Sequence, residues 1–240
     1  MSATRPEGAE PAGVDRGRPG ASARAEYERR RATDDRRREE VFGRYVAPMV
    51  KALTGEKETT AAWARGSRGE ERVGQRLSLA VGLNGIVLHD RAIPGMRSNI
   101  DHIAIVPSGV WVIDTKEYHG RVQQRDLGGW FVSRPALFVN GQNRTSLIPG
   151  VLRQLEHVQR VVRDEAPLHA TLCFNDAEWG LLGRPFTIEG VSVTWARRLA
   201  DSLTEGGTLE HDDIRTLAAR LAAAFPPYSS SHRISGPAGA

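Results

Sequence analysis

The run Asn99-Ile-Asp-His-Ile-Ala-Ile-Val-Pro-Ser-Gly-Val-Trp-Val-Ile-Asp-Thr-Lys116 constrains this chain more than any other: two Ile- and Val-rich stretches joined by Pro107-Ser108-Gly109. Apolar stretches of this kind, bounded by turn residues, form β-strands, and Pro with Gly close behind marks a tight turn between them. With Pro107 and Ser108 at the tip, Val106 faces Gly109, Asp101 faces Asp114, and Asn99 faces Lys116. The two-residue period of a strand then brings all four polar side chains to one face of an antiparallel hairpin. A slip of one residue would send Asp101 to the opposite face, so the expectation hangs on the loop length.

The other face offers Ile100, Ala104, Val106, Trp111 and Ile113, so the hairpin is apolar on both sides and belongs in the centre of a sheet covered by helices. Opposed carboxylates in such a sheet repel each other and need a positive partner. A hard divalent cation flanked by Lys116 supplies one; the plainer alternative is a buried hairpin whose Asp114–Lys116 salt bridge is structural. His102 alternates away from Asp101 and reads as a supporting residue.

Upstream, residues 1–22 are rich in Gly, Pro and Ala and are expected to be a disordered tail. Residues 23–55 combine good helix formers with charges of both signs at helical spacing, which predicts a long solvated helix. Its apolar residues Val41, Phe42, Tyr45, Val46 and Val50 come only near its end, where it is expected to dock. The next helix, from about Lys57 to Val81, carries the stripe Val73, Leu77, Val81, and Glu70 lies one turn before it. Ile86 to His89 reads as a strand, and Arg97 lies in the loop before the hairpin.

Downstream, short strands are expected at Gly120–Gln124, Gly129–Ser133 and Ala136–Asn140, with Trp130 and Phe131 as half-buried packing. A helix from about Thr145 to Arg163 has Leu152, Leu155, Val158 and Val162 on one face. Strands at His169–Phe174 and Ile188–Trp195 precede an amphipathic helix near Asp212 to Phe225, read as capped by Asp212. The tail 227–240 is expected to be flexible.

The motifs Asn99-Ile-Asp-His102, Ser108-Gly109-Val110 and Val112-Ile-Asp-Thr-Lys116 with Tyr118-His-Gly120, preceded by Gly69-Glu70 and Val87-Leu-His-Asp90 and followed by a helix containing Gln154, resemble the core signature of the NERD (nuclease-related) domain, within the PD-(D/E)xK nuclease superfamily. The resemblance covers roughly Ala62 to Val162. It implies an α/β fold with a restriction-endonuclease-like αβα core around a central mixed β-sheet, here over residues 56–226 and preceded by the charged helix.

It also implies a metal-dependent nuclease acting on DNA more readily than RNA. Asp101, Asp114, the Thr115 carbonyl and Glu70 would hold Mg²⁺ or Mn²⁺, and Lys116 would position the attacking water or help deprotonate it. Gln154, His102 and Asn99 would stand beside the site. The alternative is a nucleic-acid-binding or scaffolding module that keeps the fold without turnover. The net charge of +4 permits a nucleic-acid partner without demanding one. Cys173 is the single cysteine, so neither an internal disulfide nor a cysteine zinc site is available. With no signal-peptide core or membrane-length apolar run, a cytoplasmic location is expected.

Overall fold

The computed structural model describes residues 13–54, 58–96, 98–129, 132–180 and 183–228, the side chains at 38 and 41–65 excepted. The terminal tails 1–12 and 229–240, the side chains expected to dock the first helix (Val41, Phe42, Tyr45, Val46, Val50), Arg97, Trp130 and Phe131 lie outside that description.

Two helices lead, α1 (Ala21–Thr54) and α2 (Glu58–Val81). Three antiparallel strands follow, β1 (Ile86–Ala92), β2 (Asn99–Val106) and β3 (Gly109–Glu117). A small sheet comprises β4 (Val122–Asp126), β5 (Pro135–Val139) and β6 (Gln142–Asn143), and from it α3 (Ile148–Val162) leads to β7 (Leu168–Asn175). The chain closes with β8 (Phe186–Ile188), β9 (Val191–Trp195), α4 (Ala196–Leu203) and α5 (His211–Ala224). The main sheet has six strands in the order β1-β2-β3-β7-β9-β8, with β3, β7 and β9 parallel and the rest antiparallel. This is the expected α/β architecture, a mixed sheet flanked by helices and preceded by a long helix.

Val73, Leu77 and Val81 of α2 pack with Leu199 and Leu203 of α4 against Val87, Ala104, Val106, Ile113 and Cys173. On the opposite side, α3 and α5 bury Val158, Val162, Leu217 and Leu221 against Leu88, Ile103, Ile105, Val110 and Val112. The hairpin is thus covered on both faces, which is why both of its faces are apolar. Its register runs from Val106↔Gly109 to His102↔Ile113, and the same register carried one step further sets Asp101 opposite Asp114. Ile100 departs from the expected alternation, packing with the α5-side residues and not with Ala104 and Val106. Opposite this stretch, Asp90 of β1 has a φ of +48° that kinks the strand.

The strand expected over Ile188–Trp195 is a hairpin, β8 and β9, turning at Glu189 and Gly190 with φ of +49° and +82°. Glu210, and not Asp212, caps α5, exchanging hydrogen bonds with Asp213. Residues 13–20, part of the expected disordered tail, run along β1: the Arg16 carbonyl accepts from the His89 amide at 2.7 Å. Arg91, fully buried, ties this segment to the other end of the chain by donating to the carbonyls of Asp15 (2.8 Å), Ala222 (3.0 Å) and Phe225 (2.6 Å).

Candidate active site

β1, β2, β3 and α2 bring four carboxylates together. Asp101 and Asp114 come from the facing strands of the hairpin, Asp90 from the kink in β1, and Glu70 from the sheet-facing side of α2. Gly69 of α2 lies against the Glu117 side chain at the end of β3, where an added Cβ would lie 1.7 Å from Oε2 and displace that carboxylate. The adjoining cleft, about 290 Å³, is lined by Ser22, Glu70, Asn99, Asp101, Thr115 and Lys116 among others.

The electrostatics are those of a crowded acidic site. Asp101 accepts from the Thr115 amide at 2.7 Å, yet burial and the neighbouring Asp114 push its carboxyl up to about 7. Burial, with Asp101 and Asp90 close by, holds Glu70 well above the usual carboxylate range. Lys116 Nζ lies 2.6 Å from Asp114 Oδ2. Burial works against its charge, but Asp114 and Asp101 outweigh burial and hold the ammonium above the ordinary lysine range. Lys116 is therefore a firmly protonated donor in this arrangement.

The supporting residues divide. Gln154 of α3 reaches the site, its Nε2 3.3 Å from the Asn99 carbonyl and 3.5 Å from Asp114 Oδ1, while its Oε1 is buried without a partner. Asn99 Nδ2 donates to Asp90 Oδ1 at 2.6 Å and to Ser22 Oγ at 3.0 Å. His102 points away: its Nδ1 is 3.0 Å from His89 Nδ1, and His89 Nε2 is 2.9 Å from Ser78 Oγ. Burial lowers both rings, His89 to about 4, so neither suits a proton-transfer role at neutral pH.

Sequence reasoning missed two features here. Asp90 was visible only as part of a motif, because its place in the cluster depends on the kink at its own backbone. The start of α1 was the other. The Gly20 amide donates to Glu70 Oε1 at 2.9 Å and the Ser22 amide donates to Asp90 Oδ2, so the unpaired N–H groups at this helix end satisfy two of the four carboxylates.

Among the described residues, no three His, Cys, Asp or Glu side chains form a ready metal-ligand cluster. The donor set nevertheless suits a hard cation. Asp101, Asp114 and the Thr115 carbonyl supply oxygen, Gln154 Oε1 is an unmet oxygen beside them, and among the described residues Lys116 is the cation paired with Asp114.

Residues 65–175 match the model of the nuclease-related domain family, NERD. That span is a NERD domain. It contains Glu70, Asp90, Asn99, Asp101, Asp114, Thr115, Lys116 and Gln154, while the α1 residues that close the cleft lie outside it. The domain suggests a nuclease-related function, with nucleic acid as the implied partner. No curated protein and no solved structure matches the chain. No helix among the described residues is long and apolar enough to cross a membrane.

Proposed function

We propose that the chain is a divalent-metal-dependent nuclease that hydrolyses phosphodiester bonds, with DNA as its substrate. The observation that carries this reading is the convergence of Asp101 and Asp114 on Lys116 beside an open cleft, with the Asp101 carboxyl pushed up to about 7 by burial and by Asp114. Asp101, Asp114 and the Thr115 carbonyl would hold Mg²⁺ or Mn²⁺, and Glu70 lies close enough to complete the acidic set. When bound, such an ion supplies Lewis-acid stabilisation of the phosphoryl oxygens and makes water a better nucleophile.

The residues of the chain do the rest. Lys116 Nζ keeps its proton and donates to a phosphate oxygen as charge builds there. Asp114 aims Lys116, Gln154 braces Asp114, and Asn99 links Asp90 to Ser22. The start of α1 walls one side of the cleft.

The test is Mg²⁺- or Mn²⁺-dependent conversion of supercoiled plasmid, comparing wild type with Asp114→Ala and Lys116→Ala proteins shown to be folded. Cleavage by wild type alone is expected. Equal cleavage by all three would reveal a contaminant and remove the assignment. A second reading, a nucleic-acid-binding module without turnover, is favoured by the closed Asp114–Lys116 pair. Such a binder would hold DNA equally with and without metal, and would tolerate loss of Lys116.

A further inference from the structure

A second cleft, about 610 Å³, lies at the carboxyl ends of β7 and β9 and not over the acidic site. Arg72 and Arg76, one turn apart on α2, line it together with Arg197 at the start of α4. All three are exposed, and none has an ion-pair partner among the described residues. Trp179 and Trp195, half-buried with ring centroids 4.7 Å apart, also line it. The carboxylate in the lining, Asp176, lies 3.1 Å from His119 and is outnumbered by the three arginines. The groove therefore presents uncompensated positive charge beside aromatic rings.

Its position ties it to the acidic site. The register sets Lys116 opposite Phe174, and Phe174 opposite Trp195. Two strand spacings separate Lys116 from Trp195, roughly 10 Å. Asn175 bridges the two regions: it lines the groove and donates to Glu117 Oε2, on the residue after Lys116, at 2.9 Å.

Guanidinium groups follow a phosphate backbone whatever its sequence, and indole rings stack on bases. A duplex keeps its base faces covered by neighbouring pairs, so only an unpaired strand can use both features. We infer that this groove binds single-stranded nucleic acid, carrying the strand that runs on from the phosphate held at Lys116. The placement of that strand rests on the nuclease reading; the binding itself does not. Trp179, Trp195 and Arg197 lie outside the matched NERD residues, so this chain adds half of the groove beyond the family domain.

The test is fluorescence anisotropy of the full-length protein with a fluorescein-labelled oligo-dT of about 20 nucleotides, in EDTA so that nothing is cut, against a duplex of equal length. The double variant Arg72→Gln/Arg76→Gln changes only exposed side chains and decides the matter; Trp195→Leu, checked for folding by circular dichroism, tests stacking. The arginine variant is expected to weaken oligo-dT binding at least ~10-fold and to lower the salt slope by about 1.4, two phosphate contacts at ~0.7 each. Trp195→Leu is expected to weaken it by roughly 10-fold as well.

Unchanged oligo-dT affinity in the arginine variant overturns the inference, and so does a duplex bound as tightly with the same dependence on those arginines. Plasmid cleavage run in parallel separates the two readings. Cleavage lost in Asp114→Ala with oligo-dT binding indifferent to Arg72 and Arg76 removes the groove alone. Groove-dependent binding without Asp114-dependent cleavage supports the groove and removes the nuclease.

Discussion

Asp101→Asn should make the metal-free protein more stable at alkaline pH, although it alters a residue at the heart of the proposed site. The folded protein holds the Asp101 carboxyl at about 7, against 3.8 for the ordinary side chain. Because the folded value is the higher one, the stability linked to this proton is fully present below the unfolded value. It is lost as pH rises through about 7. A shift of about three units corresponds to ~4 kcal/mol as an upper limit. Asparagine keeps an oxygen for the Thr115 amide but loses a charge-assisted bond of about 1 kcal/mol, leaving a net gain of roughly 2–3 kcal/mol. For a chain of this size that is a rise in Tm of roughly 5–10 °C.

The assay is thermal unfolding in EDTA at about pH 8 and about pH 4, wild type against variant. The gain should appear only at the higher pH, and added Mg²⁺ or Mn²⁺ should raise the Tm of wild type more than that of the variant. An equal loss of stability at both pH values would refute the reasoning, since it would make Asp101 simply a hydrogen-bond acceptor for Thr115. The difference between proteins is the quantity to read, because His89 works in the opposite sense in wild type.

Burial lowers the folded His89 to about 4 from 6.5, so its contribution is present above 6.5 and is lost as pH falls through about 4; His89→Asn should flatten the acid limb of the stability profile, measured by urea titration. Arg91→Met should cost about 2–4 kcal/mol in urea unfolding by stranding the carbonyls of Asp15, Ala222 and Phe225, and Arg91→Lys should not restore it, since one ammonium cannot span the three directions. Gly17→Ala should release residues 13–20 from β1, because Gly17 has a φ of +71° and an added Cβ would lie 2.3 Å from the His89 carbonyl; faster amide exchange at His89 with α3 and α5 unaffected is the expected signature. Glu70→Gln should leave more plasmid cleavage than Asp114→Ala, since Glu70 Oε1 is already committed to Gly20.

The hairpin was legible because its information is local. Pro107 and Gly109 fix the turn, the turn fixes the register, and the register fixes that Asp101 meets Asp114. The α2 stripe and the α3 face were legible for the same reason, each a periodic pattern within one element. What escaped depended on distant partners or on too short a pattern. The α1 terminus binds carboxylates 50 and 68 residues away. Helix α4 is 8 residues long and shows little beyond Leu199 and Leu203 at i, i+4. β8 and β9 merged into one reading because Glu189-Gly190 is a weaker turn signal than Asn-Gly. Asp90 joins the cluster only through a backbone conformation that its sequence neighbours do not announce.

Once α1 is included, the acidic cluster separates into two halves with different chemistry. Glu70 and Asp90 face the N–H groups at the start of a helix of 34 residues, where the helix dipole and direct hydrogen bonds favour negative charge. Asp101 and Asp114 face Lys116, and burial together with Asp114 holds the Asp101 proton up to about 7 although Lys116 opposes the shift. Burial still holds Glu70 well above the usual carboxylate range and raises Asp90, so both halves keep a demand for positive charge, and the half on the facing strands of the hairpin adds the unpartnered Gln154 Oε1. In the proposed metal site Asp101 and Asp114 stand beside Gln154 Oε1, while one oxygen of Glu70 is already held by the Gly20 amide. The start of α1 thus acts on the site twice, by walling the cleft and by holding one oxygen each of Glu70 and Asp90.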